Sequence, residues 1–127
     1  MVLEEPAVYT ASTLGDIGTV RHDLASDLLA IGMSAARIDD AVVVASELIA
    51  NVLVHTTSTA SVTVTAEAER LCVGVADDSS EMPDLQPADP ARVGGNGLRI
   101  VDDFAEAWGA TPVPDHGKIV WFTVRQH

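Results

Sequence analysis

Cysteine and lysine are scarce in this sequence of 127 residues. The single cysteine, Cys72, cannot form an intramolecular disulfide, and no CxxC pair or zinc-ligand spacing is present. The single lysine, Lys118, follows a glycine but precedes Ile119, so the sequence has no Walker A loop, and it has no His-Arg-Asp kinase loop either. These absences exclude a disulfide-stabilised domain, a zinc finger, a P-loop nucleotidase and a eukaryotic-type protein kinase.

The sequence also has no long apolar run and few positively charged residues. No apolar run approaches the roughly 18 residues that a membrane span needs, and the acidic start at residues 1–6 does not resemble a signal peptide. Nineteen acidic residues against seven basic ones give a net charge of -12, which repels a phosphate backbone. We therefore expect a protein that contacts neither nucleic acid nor membrane, and the single cysteine favours a reduced cytoplasmic location. The acidic charge suits a basic protein partner, and the alternative is that it serves solubility alone.

Apolar residues, by contrast, make up 47% of the chain, enough for one core in a single domain spanning residues 1–127. The pattern predicts a short strand at 7–10 and a helix that Ser12 or Thr13 caps and Gly32 ends. A second helix begins after Ser34 and runs to about His55. The predicted core face of the first helix consists of Leu14, Ile17, Val20, Leu24 and Leu28.

Two alternating segments follow the second helix, joined near Glu69, and they predict a β-hairpin. Residues 79–96 are polar and irregular. A third helix begins near Gly97, with Leu98, Val101, Phe104 and Trp108 on its apolar face, and two further strands are expected at 108–113 and 118–124. Because the strands are clustered, the sequence predicts an α+β fold, a two-layer sandwich in which helices cover one face of a mainly antiparallel sheet.

The second helix carries a polar strip along one edge of an otherwise apolar segment. Glu47, Asn51 and His55 recur every four residues, which stacks their side chains along the helix. Oxygen atoms of Glu47 and Asn51 suit a hard cation such as Mg²⁺, and a carboxylate can act as a base. The alternative is an exposed strip with no chemistry. For His55 we favour a helix-end residue that interacts with the helix dipole.

A second candidate site is the segment after the predicted hairpin. Asp77 and Asp78 end a strand, the 79–96 loop follows, and the loop closes on a glycine cluster directly before a helix. Backbone amides at a glycine-rich helix start bind anions such as phosphate. Long loops inside compact domains are often functional. The combination is more specific than a glycine cluster alone.

Four segments together resemble the Bergerat-fold (GHKL) ATPases, the superfamily of gyrase B, the Hsp90 chaperones and the histidine kinases. Within it, the chain is similar to the small anti-sigma-factor serine kinases of Gram-positive bacteria, especially the actinobacterial type. The resemblance covers nearly the whole chain in order. The segments are VASELIANVLVH at 44–55, VGVADD at 73–78, GGNGLRIV at 94–101 and GKIVWF at 117–122.

The resemblance implies the following roles. Glu47 would be the catalytic base that activates a substrate serine, and Asn51 would coordinate the Mg²⁺ that bridges the phosphates of ATP. Asp77 would accept a hydrogen bond from the adenine amino group. Gly95, Gly97 and Leu98 would form the nucleotide-binding start of the third helix, and loop 79–96 would be the ATP lid.

Two departures from the superfamily pattern affect the nucleotide site. Ser79 and Glu81 stand where the pattern has glycines, so backbone approach to adenine should be hindered and a carboxylate is added. Asn96 stands where many relatives have arginine. We therefore expect weak affinity for ATP.

The resemblance leads to an expected function, with alternatives. The first is an anti-sigma factor with serine kinase activity, which sequesters an alternative sigma factor and phosphorylates a STAS-type anti-anti-sigma protein. The second is a partner-binding module of the same fold that does not phosphorylate, and the third is a purely structural domain. The relatives often form homodimers, so a homodimer is possible here. The sequence does not identify the sigma factor or the signal.

Overall fold

The computed structural model describes residues 5–56, 59–78, 97–115 and 117–127, and for Gly97 and Leu98 it describes the backbone alone. Within these residues the chain forms a two-layer α+β fold, as predicted. The elements in chain order are β1 (Ala7–Ala11), α1 (Asp16–Ala30), α2 (Ala35–His55), β2 (Ala60–Glu67), β3 (Arg70–Asp77), α3 (Gly97–Phe104), β4 (Ala107–Pro112) and β5 (Lys118–Arg125).

The five strands form one sheet in the order β1-β2-β3-β5-β4, and every pairing is antiparallel. Alternate residues of the three central strands are buried, because the helices cover one face of the sheet. The helix-facing rows include Val64, Val73 and Phe122, none of which is exposed. The core therefore lies between the sheet and the helical layer.

The helices follow the order of the strands below them. Helix α1 contacts β1, and the Tyr9 hydroxyl donates a hydrogen bond to Asp27. Helix α2 contacts β2, β3 and β5, while α3 contacts β4. Helix α2 also packs against both α1 and α3. It is therefore the central helix of the layer. No helix among the described residues is long and apolar enough to cross a bilayer.

The predicted apolar face of α1 is correct at Val20, Leu24 and Leu28, which are buried, but wrong at Leu14, whose side chain is 60% exposed. Helix α1 begins only at Asp16, so Leu14 precedes it. The Asp16 carboxylate accepts hydrogen bonds from the backbone N–H groups of residues 12 and 13 and thereby fixes this start. The predicted cap by a Ser12 or Thr13 side chain does not form. Gly32 follows the helix with φ of 84°, in line with its predicted role as the stop.

The prediction that the third helix reaches Trp108 is wrong. Helix α3 ends at Phe104, because the Glu106 N–H donates to the Thr123 carbonyl at 2.8 Å and the chain continues as β4. Trp108 lies in β4 opposite Phe122, and Phe104 is exposed rather than buried. The two predicted last strands are confirmed: β4 and β5 pair as a hairpin, and the turn closes with a hydrogen bond from the Val113 N–H to the Gly117 carbonyl at 2.9 Å.

Candidate nucleotide site

Glu47 and Asn51 lie at the boundary between the buried and exposed faces of α2. Both side chains are half-buried. On one side of the pair Val44 and Leu48 are buried, and on the other side Val54 is exposed. Among the described residues, no side chain hydrogen-bonds or ion-pairs with either group. A carboxylate and a carboxamide one turn apart thus keep their hydrogen-bonding capacity for a ligand.

The ends of α2 are fixed at opposite ends of the sheet. At its start, the Ser34 N–H donates to the Gln126 carbonyl at 3.0 Å, beside the end of β5. After its end at His55 the chain enters β2 at Ala60, whose neighbour Ser61 pairs with Ala76. The second half of α2, which carries Glu47 and Asn51, is therefore directed toward the sheet end where Asp77 lies.

Helix α3 runs in the opposite direction. Directly after its end, Glu106 bonds to the backbone of Thr123, and the Arg70 side chain donates to the Glu106 carboxylate at 2.7 Å. Arg70 is the first residue of β3, whereas Asp77 is the last. Since the end of α3 is fixed at the Arg70 side, its first residue, Gly97, is directed toward the Asp77 side. An eight-residue helix rises about 12 Å over that path.

Helix α2 packs against α3, and Asn51 shares one edge of α2 with two earlier residues. Arg37 and Val44 precede Asn51 by two and one intervals of seven residues, so all three share one edge of the helix. The pKa of Glu106 is lowered, first by the hydrogen bond from Arg70 and then by the charges of Arg70, Arg125 and Arg37. The charge of Arg37 on this edge thus acts on the α3–β4 connection.

Asp77 ends β3 as a buried carboxylate on the helix-facing side of the sheet. It pairs in register with Lys118, the first residue of β5. The Lys118 Nζ donates to Asp77 Oδ1 at 3.1 Å, and the two side chains are only 9% and 3% exposed. The sequence pattern predicts Asp77 as a site residue but predicts no role for Lys118, because nothing local in the sequence indicates that β3 and β5 are neighbours.

Gly117 supports this pair from the backbone side. Its φ is 84°, and a Cβ atom built there would lie 2.0 Å from the Asp77 carbonyl oxygen. No side chain fits at this position, so the β4–β5 turn can approach the end of β3 closely only with glycine. Nothing local in the sequence indicates that this glycine approaches Asp77.

The structure thus directs three predicted elements to one end of the sheet: the second half of α2 with Glu47 and Asn51, the end of β3 with Asp77, and the start of α3 at Gly97. It describes the Leu98 backbone but not its side chain. Gly95, Asn96, Ser79, Glu81 and the rest of the predicted lid lie outside the described residues. His55 is exposed in the last turn of α2, in line with a helix-end residue.

The donor set suits Mg²⁺ held mainly by phosphates. Among the residues that the structure describes, no group of three His, Cys, Asp or Glu side chains could hold a metal ion. Asn51 offers one neutral oxygen, and Mg²⁺ commonly takes one or two protein ligands together with substrate phosphates and water. The residues present therefore fit a metal that arrives with a nucleotide rather than one held by the protein alone.

Residues 10–124 match a family model described as "Histidine kinase-like ATPase domain", which covers the described elements from β1 to β5 except for residues at the outer ends. No curated protein matches the chain.

Proposed function

The chain belongs to the family of histidine kinase-like ATPase domains, and from that premise we propose that it is an anti-sigma factor with ATP-dependent serine protein kinase activity. Membership of the family implies ATP binding. The serine kinase activity and the two protein partners are the part that we add. The observation that carries this proposal is that the second half of α2, the end of β3 and the start of α3 are directed to one end of the sheet, with Glu47 half-buried beside Asn51.

Each residue has a role in this proposal. Asn51 would hold Mg²⁺ against the phosphates, and the amides at the start of α3 would lie against the same phosphates. Asp77 would accept a hydrogen bond from the adenine amino group. The metal, when bound, neutralises negative charge that develops on the phosphates during transfer.

Glu47 would act as the base for transfer to a protein serine. It takes the hydroxyl proton while the serine oxygen bonds to the γ-phosphorus and the bond from that phosphorus to the β–γ bridging oxygen breaks. ADP leaves with the electron pair of the broken bond. A carboxylate suits this role because it needs only to receive a proton at the moment of transfer. Among the described residues no ion pair engages the Glu47 carboxylate, so it can reach a substrate hydroxyl.

The protein partners are proposed from charge and from the resemblance described above. A net charge of -12 favours encounter with a positively charged surface, such as one on an alternative sigma factor in the cytoplasm. The phosphoryl acceptor would be a STAS-type anti-anti-sigma protein. Sequestration of the sigma factor would end when the unphosphorylated STAS protein competes for this chain.

A non-catalytic partner-binding module is the second candidate. The observation that favours it is the presence of Ser79 and Glu81 where the superfamily pattern has glycines, in a chain with a net charge of -12. Both features oppose close binding of a polyanionic nucleotide. Under this candidate, partner binding would continue without phosphorylation.

Incubation with γ-labelled ATP, Mg²⁺ and a STAS-type protein tests the proposal. We expect label on a serine of the STAS protein, and no label on the STAS variant in which that serine is alanine. Partner binding, measured in the same mixture by size-exclusion chromatography, with no label on either protein would support the second candidate instead. Neither label nor partner binding would contradict both.

A further inference from the structure

Lys118 is a buried charged residue at the described site, and the proposed chemistry gives it no task. It is the only lysine of the chain, and its side chain is 9% exposed. An ammonium group is strongly hydrated, so its burial carries a considerable cost unless it meets a partner. Its partner is Asp77, the residue proposed to contact the nucleobase.

The sheet fixes the two side chains next to each other. Asp77 and Lys118 are directly opposite in the β3–β5 pairing. Each side chain belongs to a row of buried residues on the helix-facing side of the sheet. Asp77 continues the row of Val73 and Val75 in β3, and Lys118 begins the row of Val120 and Phe122 in β5. The close approach of Gly117 to the Asp77 backbone holds the start of β5 in this position. The pair therefore forms a rigid donor–acceptor unit.

Stability alone does not account for a buried ion pair at this place. The desolvation of two charges largely offsets their attraction, and apolar residues of similar size stabilise an interior equally well or better. The pair differs from an apolar one in its hydrogen-bonding capacity. An ammonium has three donors and a carboxylate has several acceptor positions, so each group can bond to its partner and to a ligand at once.

We propose that Lys118 is a base-recognition residue that donates a hydrogen bond to N1 of adenine while Asp77 accepts one from the adjacent amino group. This inference rests on the proposed binding of ATP at this end of the sheet. The Watson–Crick edge of adenine presents a donor, the amino group, beside an acceptor, N1. A carboxylate beside an ammonium at 3.1 Å presents the complementary order.

The test removes one atom of the ligand and one residue of the protein in combination. The ligands are Mg·ATP and Mg·1-deaza-ATP, in which a C–H group replaces N1 and cannot accept a hydrogen bond. We expect the wild-type protein to bind ATP about tenfold more tightly than 1-deaza-ATP. In the complex with the analogue, a hydrogen bond to a charged group is lost and the ammonium loses a partner. For Lys118→Met we expect equal affinities for the two ligands, because the donor is absent.

Two further variants keep the result interpretable. Arg125→Met removes a cation from the other end of the same strand, where the side chain is exposed and pairs with Glu106 at 3.5 Å, and it should keep the tenfold preference. Lys118→Gln replaces Lys118→Met in the test if the methionine variant does not fold. It retains a neutral donor and should keep part of the preference for ATP. A purely structural role for Lys118 would lower the affinity for both ligands and leave their ratio unchanged.

The wild-type titrations alone can overturn the inference. Equal affinity of the wild type for ATP and 1-deaza-ATP would show that N1 accepts no hydrogen bond, while the proposed ATP binding would stand. An unchanged preference in a folded Lys118→Met variant would assign the donor to another residue. Failure of the wild type to bind either ligand would overturn both the inference and the proposed function.

Discussion

Asn51 is the residue that we propose to hold the metal when a nucleotide binds. Its carboxamide is half-buried on α2, and no described side chain engages it. Phosphate groups repel one another, and Mg²⁺ commonly takes one or two protein ligands together with substrate phosphates. We propose that the Asn51 carboxamide would supply one such ligand.

We predict that Asn51→Ala abolishes Mg²⁺-dependent ATP binding and leaves the fold intact. The side chain makes no hydrogen bond within the described residues, so its loss leaves no described group without a partner. Calorimetric titration with Mg·ATP measures the first effect, and the far-ultraviolet circular dichroism spectrum the second. His55→Ala, on the same strip but exposed at the helix end, is the matched control and should bind like the wild type. Full binding by Asn51→Ala would show that the metal site is elsewhere.

Glu47 is expected to act in the transfer step rather than in nucleotide affinity. For Glu47→Ala we predict unchanged affinity for Mg·ATP and a rate of phosphoryl transfer lower by about 10² to 10⁴, the usual contribution of a base. Titration and a labelled-phosphate assay on the same preparation separate the two quantities. Transfer at the wild-type rate would remove Glu47 from the mechanism, whereas loss of ATP binding would indicate that it holds the metal.

At the scale of elements, local patterns predicted most of the helices and strands. Helix α2, the β2–β3 hairpin and the β4–β5 hairpin have strong periodicity or turn signals, and the structure confirms them. The errors occur at element ends. Leu14 precedes α1 because Asp16 binds the backbone before it, and Trp108 leaves α3 because Glu106 bonds to β5. Both depend on contacts that helical periodicity does not encode.

The candidate site shows the same division between local and distant signals. The polar strip of α2 and the acid after β3 are local patterns, and both could be located from the sequence. The Asp77–Lys118 pair joins residues 41 positions apart and depends on the placement of β5 between β3 and β4. Lys118 reaches the site only because of the order of the strands, which no local sequence pattern indicates.

The β4–β5 turn provides a test of an element's contribution to stability. We predict that Gly117→Ala lowers the free energy of unfolding by on the order of 1–3 kcal/mol, because φ of 84° is unfavourable for alanine and its Cβ would meet the Asp77 carbonyl. Urea denaturation measures the change. Gly18→Ala is the control: that glycine is in α1, and beyond the adjacent helix backbone no atom lies within 4 Å of a built Cβ, so alanine there should stabilise. Equal midpoints for Gly117→Ala and the wild type would contradict the proposed close approach.

The arginines around Glu106 connect β3, β5 and the end of α3, and they make stability depend on pH. The pKa of Glu106 is held below its ordinary value, chiefly by the hydrogen bond from Arg70, so the folded state binds fewer protons than the unfolded state in mildly acidic solution. This contribution is complete above the pKa of the unfolded state and is lost as the pH falls through the pKa of the folded state.

We therefore predict that Glu106→Gln loses less stability than the wild type when the pH is lowered from about 6 to about 3. The difference between the two urea midpoints should be largest at the higher pH and should shrink on acidification. Asp16→Asn provides a comparison at a distant site. The pKa of Asp16 is also lowered, but by hydrogen bonds from the backbone N–H groups of residues 12 and 13 rather than by arginines. Parallel pH profiles for Glu106→Gln and the wild type would show that the arginine contacts do not stabilise the fold.

At the scale of the whole molecule, the chain is an acidic ATPase-type domain whose proposed ligand is itself a polyanion. The net charge of -12, to which Glu81 contributes, opposes nucleotide entry. Ser79 and Glu81 also stand where the superfamily pattern has glycines, which should hinder backbone approach to the base. We therefore expect weak binding that requires Mg²⁺, and stronger dependence on the metal than a neutral domain of this size would show.

Calorimetric titration of ATP into the wild-type protein, with Mg²⁺ and again with the metal chelated, tests the central claim that this end of the sheet is a nucleotide site. We predict saturable binding of one nucleotide per chain in the presence of Mg²⁺, and a large loss of affinity when the metal is removed. No detectable heat and no binding by equilibrium dialysis at millimolar Mg·ATP would contradict the claim and leave the fold with a partner-binding role alone.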